Sequence, residues 1–228
     1  MGKIKLDSRL SAVASLVRSG KTVADIGTDH AYLLAYLLEN KLITKGVAAD
    51  LRQGPLDNAK RTLIECEQLE NVSLVLSDGL DELEKGDCED IVIAGMGGML
   101  IKEILERTDW IFDSDIHIVA QPMTHAEVLR KFYAENGFKI LKEAAATDGK
   151  RYYCVISAQY DGIKRDFDAW YYYIGELLKN ADAASQLYIN KIITTLDKKL
   201  SALKAAGVAD EENIEQILSD IKKKIAEV

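Results

Sequence analysis

Between residues 22 and 160, short and almost wholly apolar runs alternate with longer stretches whose apolar positions recur every three or four residues. The short runs at 22–26, 46–50, 72–76, 91–94 and 116–120 predict strands. Their near-continuous apolarity is what a strand buried on both faces of a parallel sheet requires. The longer stretches at 31–39, 55–69, 99–106 and 126–135 predict the intervening helices. Pro55 suits a first helical turn, where a missing N–H leaves no bond unmade. Strand and helix in regular alternation describe a doubly wound α/β fold.

The end of this region adds a different signal. Residues 138–145 and 151–160 predict two more strands joined by a short segment containing Asp148-Gly149, a strong hairpin dipeptide. So short a connection joins antiparallel strands, because a parallel crossover needs a dozen or more residues. Five parallel strands ending in an antiparallel hairpin form the Rossmann-like sheet of class I methyltransferases, whereas an ordinary dinucleotide-binding sheet lacks the hairpin. Ahead of the first strand, Leu6, Leu10, Val13 and Val17 recur at helical spacing. Beyond Gly162, Ile189, Ile192, Ile193, Leu196, Leu200 and Leu203 form one apolar stripe, and Ile214, Ile217, Leu218, Ile221 and Ile225 a second. With a turn at 207–210 between them, they predict a coiled-coil-like helical hairpin, preceded by a helix at 170–178.

Composition narrows the class. The 228 residues are 48% hydrophobic and 29% charged, enough apolar content for a globular core without staples. Cys66, Cys88 and Cys154 have neither disulfide nor metal-site spacing. Residues 1–10 are polar and basic rather than an apolar run, and no uncharged apolar stretch reaches membrane-spanning length, so the expectation is a cytoplasmic protein. A net charge of -8 argues against nucleic-acid binding on average. The first 21 residues, however, carry Lys3, Lys5, Arg9, Arg18 and Lys21 against a single acid, Asp7. This segment is expected to form a positive rim beside the ligand mouth.

The candidate chemistry sits where the predicted strands end, since ligands of open α/β sheets lie beyond the carboxyl ends of the strands. The first strand runs into Asp25-Ile26-Gly27-Thr28-Asp29-His30-Ala31-Tyr32. Asp29 stands where a dinucleotide fingerprint needs its second glycine, and a carboxylate there repels a pyrophosphate. Carboxylates at Asp25 and Asp29 suit a cationic ligand instead, such as the ammonium and sulfonium of S-adenosylmethionine. Asp50 ends the second strand, placed to accept ribose hydroxyls. Asp78-Gly79 follows the third, with Asp78 placed to accept from an adenine amino group. The fourth leads into Gly95-Met96-Gly97-Gly98, whose glycines imply a close backbone approach or positive φ. The Asn/Asp-Pro-Pro-aromatic loop of most amino-group nucleic-acid methyltransferases is missing here, which points to a ring-nitrogen acceptor or another substrate class.

These motifs, taken in order with Arg9-Leu10, Gly54-Pro55-Leu56 and Gln121-Pro122, resemble the bacterial tRNA (adenine-22-N1)-methyltransferase family. The resemblance spans residues 6–160 and is strongest in the first and fourth loops. It implies a methyltransferase domain over 1–162 that uses S-adenosylmethionine and a helical coiled-coil-like domain over 163–228. It further implies methylation of adenine N1 in tRNA by a monomer or weak dimer that needs no metal. Cofactor contacts are expected from Asp25, Gly27, Thr28, Asp29, His30, Asp50, Asp78, Gly79, Gly95 and Met96, with Asp29 and His30 nearest the chemistry. Two positions depart from the family pattern: Leu34 replaces proline and Met123 replaces asparagine.

Adenine N1 is unprotonated at neutral pH, so the transfer needs in-line placement rather than a strong base. The base must also leave its stack, and the product gains a positive charge that nearby carboxylates favour. His117 and His125 read as structural, and the tyrosines at 152–153 and 171–173 as filling a domain junction. The helical tail reads either as an RNA clamp or as a partner-binding hairpin. The competing classes are a methyltransferase of small molecules or proteins, a nicotinamide oxidoreductase, and a non-catalytic RNA-binding scaffold.

Overall fold

The computed structural model describes residues 4–227. Lys3, part of the basic N-terminal segment, lies outside them. One seven-stranded sheet organises the chain, in the order β3-β2-β1-β4-β5-β7-β6. The strands are β1 (Val23–Ile26), β2 (Gly46–Asp50), β3 (Val72–Leu76), β4 (Asp90–Met96), β5 (His117–Pro122), β6 (Phe138–Asp148) and β7 (Arg151–Tyr160). The first five pair in parallel, and β7 runs antiparallel to both β5 and β6. Asp148 pairs with Arg151 to close the hairpin, and Gly149 between them takes φ 57°. Every residue of β1, β2 and β5 is buried, as their apolar runs require.

Helices α1 (Ser8–Ala14), α2 (Tyr32–Glu39) and α3 (Gln53–Glu65) precede β3, and α4 (Gly98–Glu106) and α5 (Ala126–Glu135) flank β5. Alternate residues of one strand serve two cores. Ala24 and Ile26 face a layer with Ile101, Ile104, Leu129 and Phe132, while Val23 faces Val13, Leu34, Leu37 and Leu63. Helix α1 starts at Asp7, whose carboxylate accepts from the Leu10 N–H at 2.7 Å. Helix α3 stops at Glu65, short of the predicted 69. Glu67 turns left-handed at φ 57°, and the Gln68 N–H reaches back to the Leu63 carbonyl at 2.8 Å, closing the helix.

The remaining helices are α6 (Ala169–Ile174), α7 (Ala183–Ala206) and α8 (Ile214–Ala226). The predicted helix at 170–178 breaks at Gly175, and a 3-10 turn continues to Lys179. Gly207 ends α7 in a left-handed conformation, and Asp210 accepts from the Ile214 and Glu215 N–H groups ahead of α8. Helix α8 packs against both α6 and α7. The predicted hairpin of α7 and α8 is present, and Trp170 and Tyr173 of the preceding helix join the same cluster as Ile217 and Ile221, making a three-helix packing.

A buried ion pair joins this helical layer to the sheet. Arg130 of α5 donates to Glu143 of β6 at 2.7 Å, with both side chains fully buried. Arg130 also donates to the carbonyls of Tyr172 and Tyr173, and the Leu177 N–H donates to Glu143. Burial opposes the Arg130 charge, but the facing Glu143 carboxylate outweighs it and holds the guanidinium above its usual value. Gly175 has φ 54°, and a Cβ there would lie 2.4 Å from both Arg130 Nε and a Glu143 carboxylate oxygen. Glycine is required there on both counts.

Candidate active site

The carboxyl ends of β1, β2, β4 and β5 converge on one side of the sheet. At its centre, Asp25 is 6% exposed and accepts a 2.7 Å hydrogen bond from the Thr28 hydroxyl. Burial pushes its carboxyl up to about 6 from 3.8, against the downward pull of Thr28 and of the Arg9 charge, while Asp50 adds to the rise. The α2 helix has no side-chain cap, so Asp25 and Asp29 do not serve as one.

Gly27 (φ 74°) is the point of closest approach in the first loop. A Cβ there would come within 2.4 Å of the Met96 methyl. Gly95 (φ 84°) donates its N–H to Gln121 Oε1 at 3.1 Å, and Arg9 donates to the same oxygen at 3.1 Å. Gln121 is fully buried. A neutral amide from β5 therefore holds a guanidinium from α1 beside the β4 glycine loop. Among the described residues Arg9 has no carboxylate within ion-pair distance. The site thus contains an anion and a cation that act on each other without closing into a pair.

Other predicted residues are arranged around this centre. Asp50 is buried and accepts from the Arg52 N–H at 3.0 Å. Asp29 (φ 52°) is exposed and His30 half-buried at the mouth, 3.8 Å apart, and His30 stacks on Tyr32 with ring centroids 5.1 Å apart. Asp78 is not linked to the others by any hydrogen bond, and instead accepts from Arg107 at 2.7 Å. Gly79 turns at φ 63° against Ile104, where a Cβ would sit 2.8 Å away. Leu51, Leu76, Met99 and Met123 stay exposed at or just beyond the ends of β2, β3, β4 and β5. Met123 donates its N–H to the Met96 carbonyl at 2.8 Å, tying the loops after β4 and β5 together.

Two residues of the expected positive rim, Arg18 and Lys21, lie away from the site. Arg18 donates to Asp90 at 2.7 Å, and Lys21 pairs with Glu89 at 2.6 Å. Asp90 opens β4, so both cations lie at the amino ends of the strands, opposite the site. They neutralise acids there, including Asp90, which also holds the buried His117 at 3.0 Å. Arg9 alone of the four described basic residues is committed to the site. Its link to Gln121 was not singled out from the sequence. The signal available was a polar residue ending an otherwise apolar, buried strand.

The chain is similar to known proteins over most of its length. A family profile described as a methyltransferase domain matches residues 6–156. The tRNA (adenine(22)-N(1))-methyltransferase of Bacillus subtilis is 34% identical over 170 residues, covering 72% of this chain and 71% of that protein. The chain belongs to this family. Among solved structures, the tRNA (m1A22) methyltransferase TrmK of B. subtilis superposes with a TM-score of 0.80 at 28% identity, covering 98% of this chain and 97% of that one. A putative tRNA (m1A22) methyltransferase of Streptococcus pneumoniae, in complex with S-adenosyl-L-methionine, does so with a TM-score of 0.83 at 26% identity. The latter match covers 97% of this chain and 100% of that one, so the family likeness includes the helical layer.

Proposed function

We propose that this protein transfers the methyl group of S-adenosylmethionine to N1 of adenine 22 in tRNA, as its family relatives are named for. The observation that carries the reading is the unclosed charge pair of Asp25 and Arg9 at the strand ends. A methionyl group is a zwitterion, and its ammonium and carboxylate match these two charges. Gly27, Thr28, Gly95 and Met96 would enclose the same group, the glycines because a Cβ would fill the space. Asp50 would accept from the ribose hydroxyls, and Asp78 and Gly79, with exposed Leu51 and Leu76, would flank the adenine. When bound, the cofactor supplies an electrophilic methyl on a sulfonium.

The chain's own task is placement. His30 and Tyr32 present stacked aromatic faces for the extruded adenine, and Asp29 beside them favours the positive charge that N1 acquires. The methyltransferase domain would occupy residues 1–162 and the helical domain 163–228, in a cytoplasmic monomer or weak dimer. Unmodified tRNA incubated with the protein and labelled S-adenosylmethionine should yield label as 1-methyladenosine at position 22, read by nucleoside mass spectrometry. Label appearing only on protein or a small metabolite would overturn the reading.

A further inference from the structure

A cleft of about 510 Å³ separates the loop after β5 from helix α7, and none of the cofactor contacts above lies in it. That volume is ligand-sized. Met123 and its neighbours through Ala126 form one side, and Tyr188, Lys191 and Thr195 of α7 contribute to its lining, as do Tyr152 and Tyr173. Tyr188 is buried at the floor, while the half-buried Tyr152 and Tyr173 offer ring faces for a base and Lys191 offers a charge for a phosphate.

Lys191 differs from other cations of the helical layer. Lys199 pairs with Glu212 at 2.6 Å, Lys204 with Glu215 at 2.7 Å, and Lys222 with Asp197 at 3.6 Å. Lys191 has no carboxylate partner among the described residues. Its ammonium lies 5.6 Å from the Tyr188 ring centroid and touches only the Tyr152 carbonyl, at 3.5 Å. Its charge remains available to an external anion.

The loop that forms one side of the cleft is also bonded to the β4 glycine turn. Met123 hydrogen-bonds to the Met96 carbonyl, and the Gly98 N–H donates to the Thr124 carbonyl at 2.8 Å. One loop thus contacts the β4 glycine turn and forms a wall of the cleft. At its end His125, a non-glycine residue, is held at φ 55°. A strand of RNA presenting its target base at the glycine turn therefore has its next residues within reach of this cleft.

We propose that the cleft receives a nucleotide flanking the target adenosine, its base against the tyrosines and its phosphate on Lys191. This rests on the tRNA reading above. An acidic peptide would use Lys191 but not the loop shared with the glycine turn.

Two variants test it, Lys191→Ala and Thr195→Trp, the second filling the cleft from an exposed position of α7. Both should bind S-adenosylhomocysteine as the parent does, which also shows that they are folded. Both should weaken tRNA binding, Thr195→Trp by roughly tenfold, the size of one base–aromatic stack. Lys191→Ala should also flatten the salt dependence of tRNA binding by about 0.7–0.9 of a slope unit. A tRNA carrying a photoreactive base next to adenosine 22 should cross-link to peptides containing Tyr152, Tyr173 or Lys191. Parent-like tRNA binding by both variants, or cross-links only elsewhere, would overturn the cleft assignment alone. A parent protein that methylates no tRNA would overturn both readings.

Discussion

Replacing Asp25 by asparagine separates the cost of its charge from the use of it. The side chain is nearly inaccessible, and burial is the largest influence on its carboxyl, raising it from 3.8 to about 6. A rise of about two units corresponds to roughly 3 kcal/mol of unfavourable ionisation in the folded state. The sign follows from linkage. Between pH 3.8 and about 6 the folded chain keeps a proton that the unfolded chain has released, so this group's contribution to stability falls as pH rises through that window. Asp25→Asn removes the titration while keeping a partner for the Thr28 hydroxyl. Unfolding by urea at a series of pH values should show parent and variant equal near pH 4. The variant should gain up to about 3 kcal/mol by pH 8. The same substitution should weaken S-adenosylhomocysteine binding by about 1.5–3 kcal/mol, the worth of a hydrogen bond to a charged group. Stability and binding thus move in opposite directions. Parallel stability curves for the two proteins across the pH range would refute the argument.

Three more outcomes are open to direct measurement. Arg9→Met should weaken S-adenosylmethionine binding by about 1.5–3 kcal/mol but leave binding of its decarboxylated analogue unchanged, by calorimetry. Equal losses for both ligands would remove Arg9 from carboxylate recognition. Gly175→Ala should destabilise the protein by more than the roughly 1–3 kcal/mol of backbone strain alone, because the new methyl also displaces the Arg130–Glu143 pair; thermal unfolding checks this. Gly27→Ala should abolish most S-adenosylhomocysteine binding with little loss of secondary structure by circular dichroism, since its Cβ meets only the flexible Met96 side chain.

The centre of the sheet was legible because β1, β2 and β5 are buried on both faces, and such burial writes an unbroken apolar run. The closing hairpin was legible from Asp148-Gly149, whose local conformation decides the connection. Helix ends were not. The stop at Glu65 depends on a left-handed Glu67, which residue type does not announce, and the break at Gly175 depends on a buried ion pair from two distant elements. The strand-end carboxylates were readable one by one. The Arg9–Gln121 contact, which joins residues 112 apart, is a product of the folded chain. The basic N-terminal segment misled for a related reason. Charge counted along a sequence ignores the acids it meets in space, and Arg18 and Lys21 meet Asp90 and Glu89.

The Arg130–Glu143 junction has a mechanical consequence. A charge pair buried on every side, with the backbone of residues 172, 173 and 177 bonded into it, resists hinging because any opening strands charges away from water. The helical layer and the catalytic mouth consequently keep a fixed spacing, like the jaws of a gauge that does not adjust. The deformation needed to seat the target base then falls on the nucleic acid. The enzyme would select its substrates by how easily their local stacking yields, and modifications that stiffen the tRNA around adenine 22 would slow methylation without altering a single protein contact.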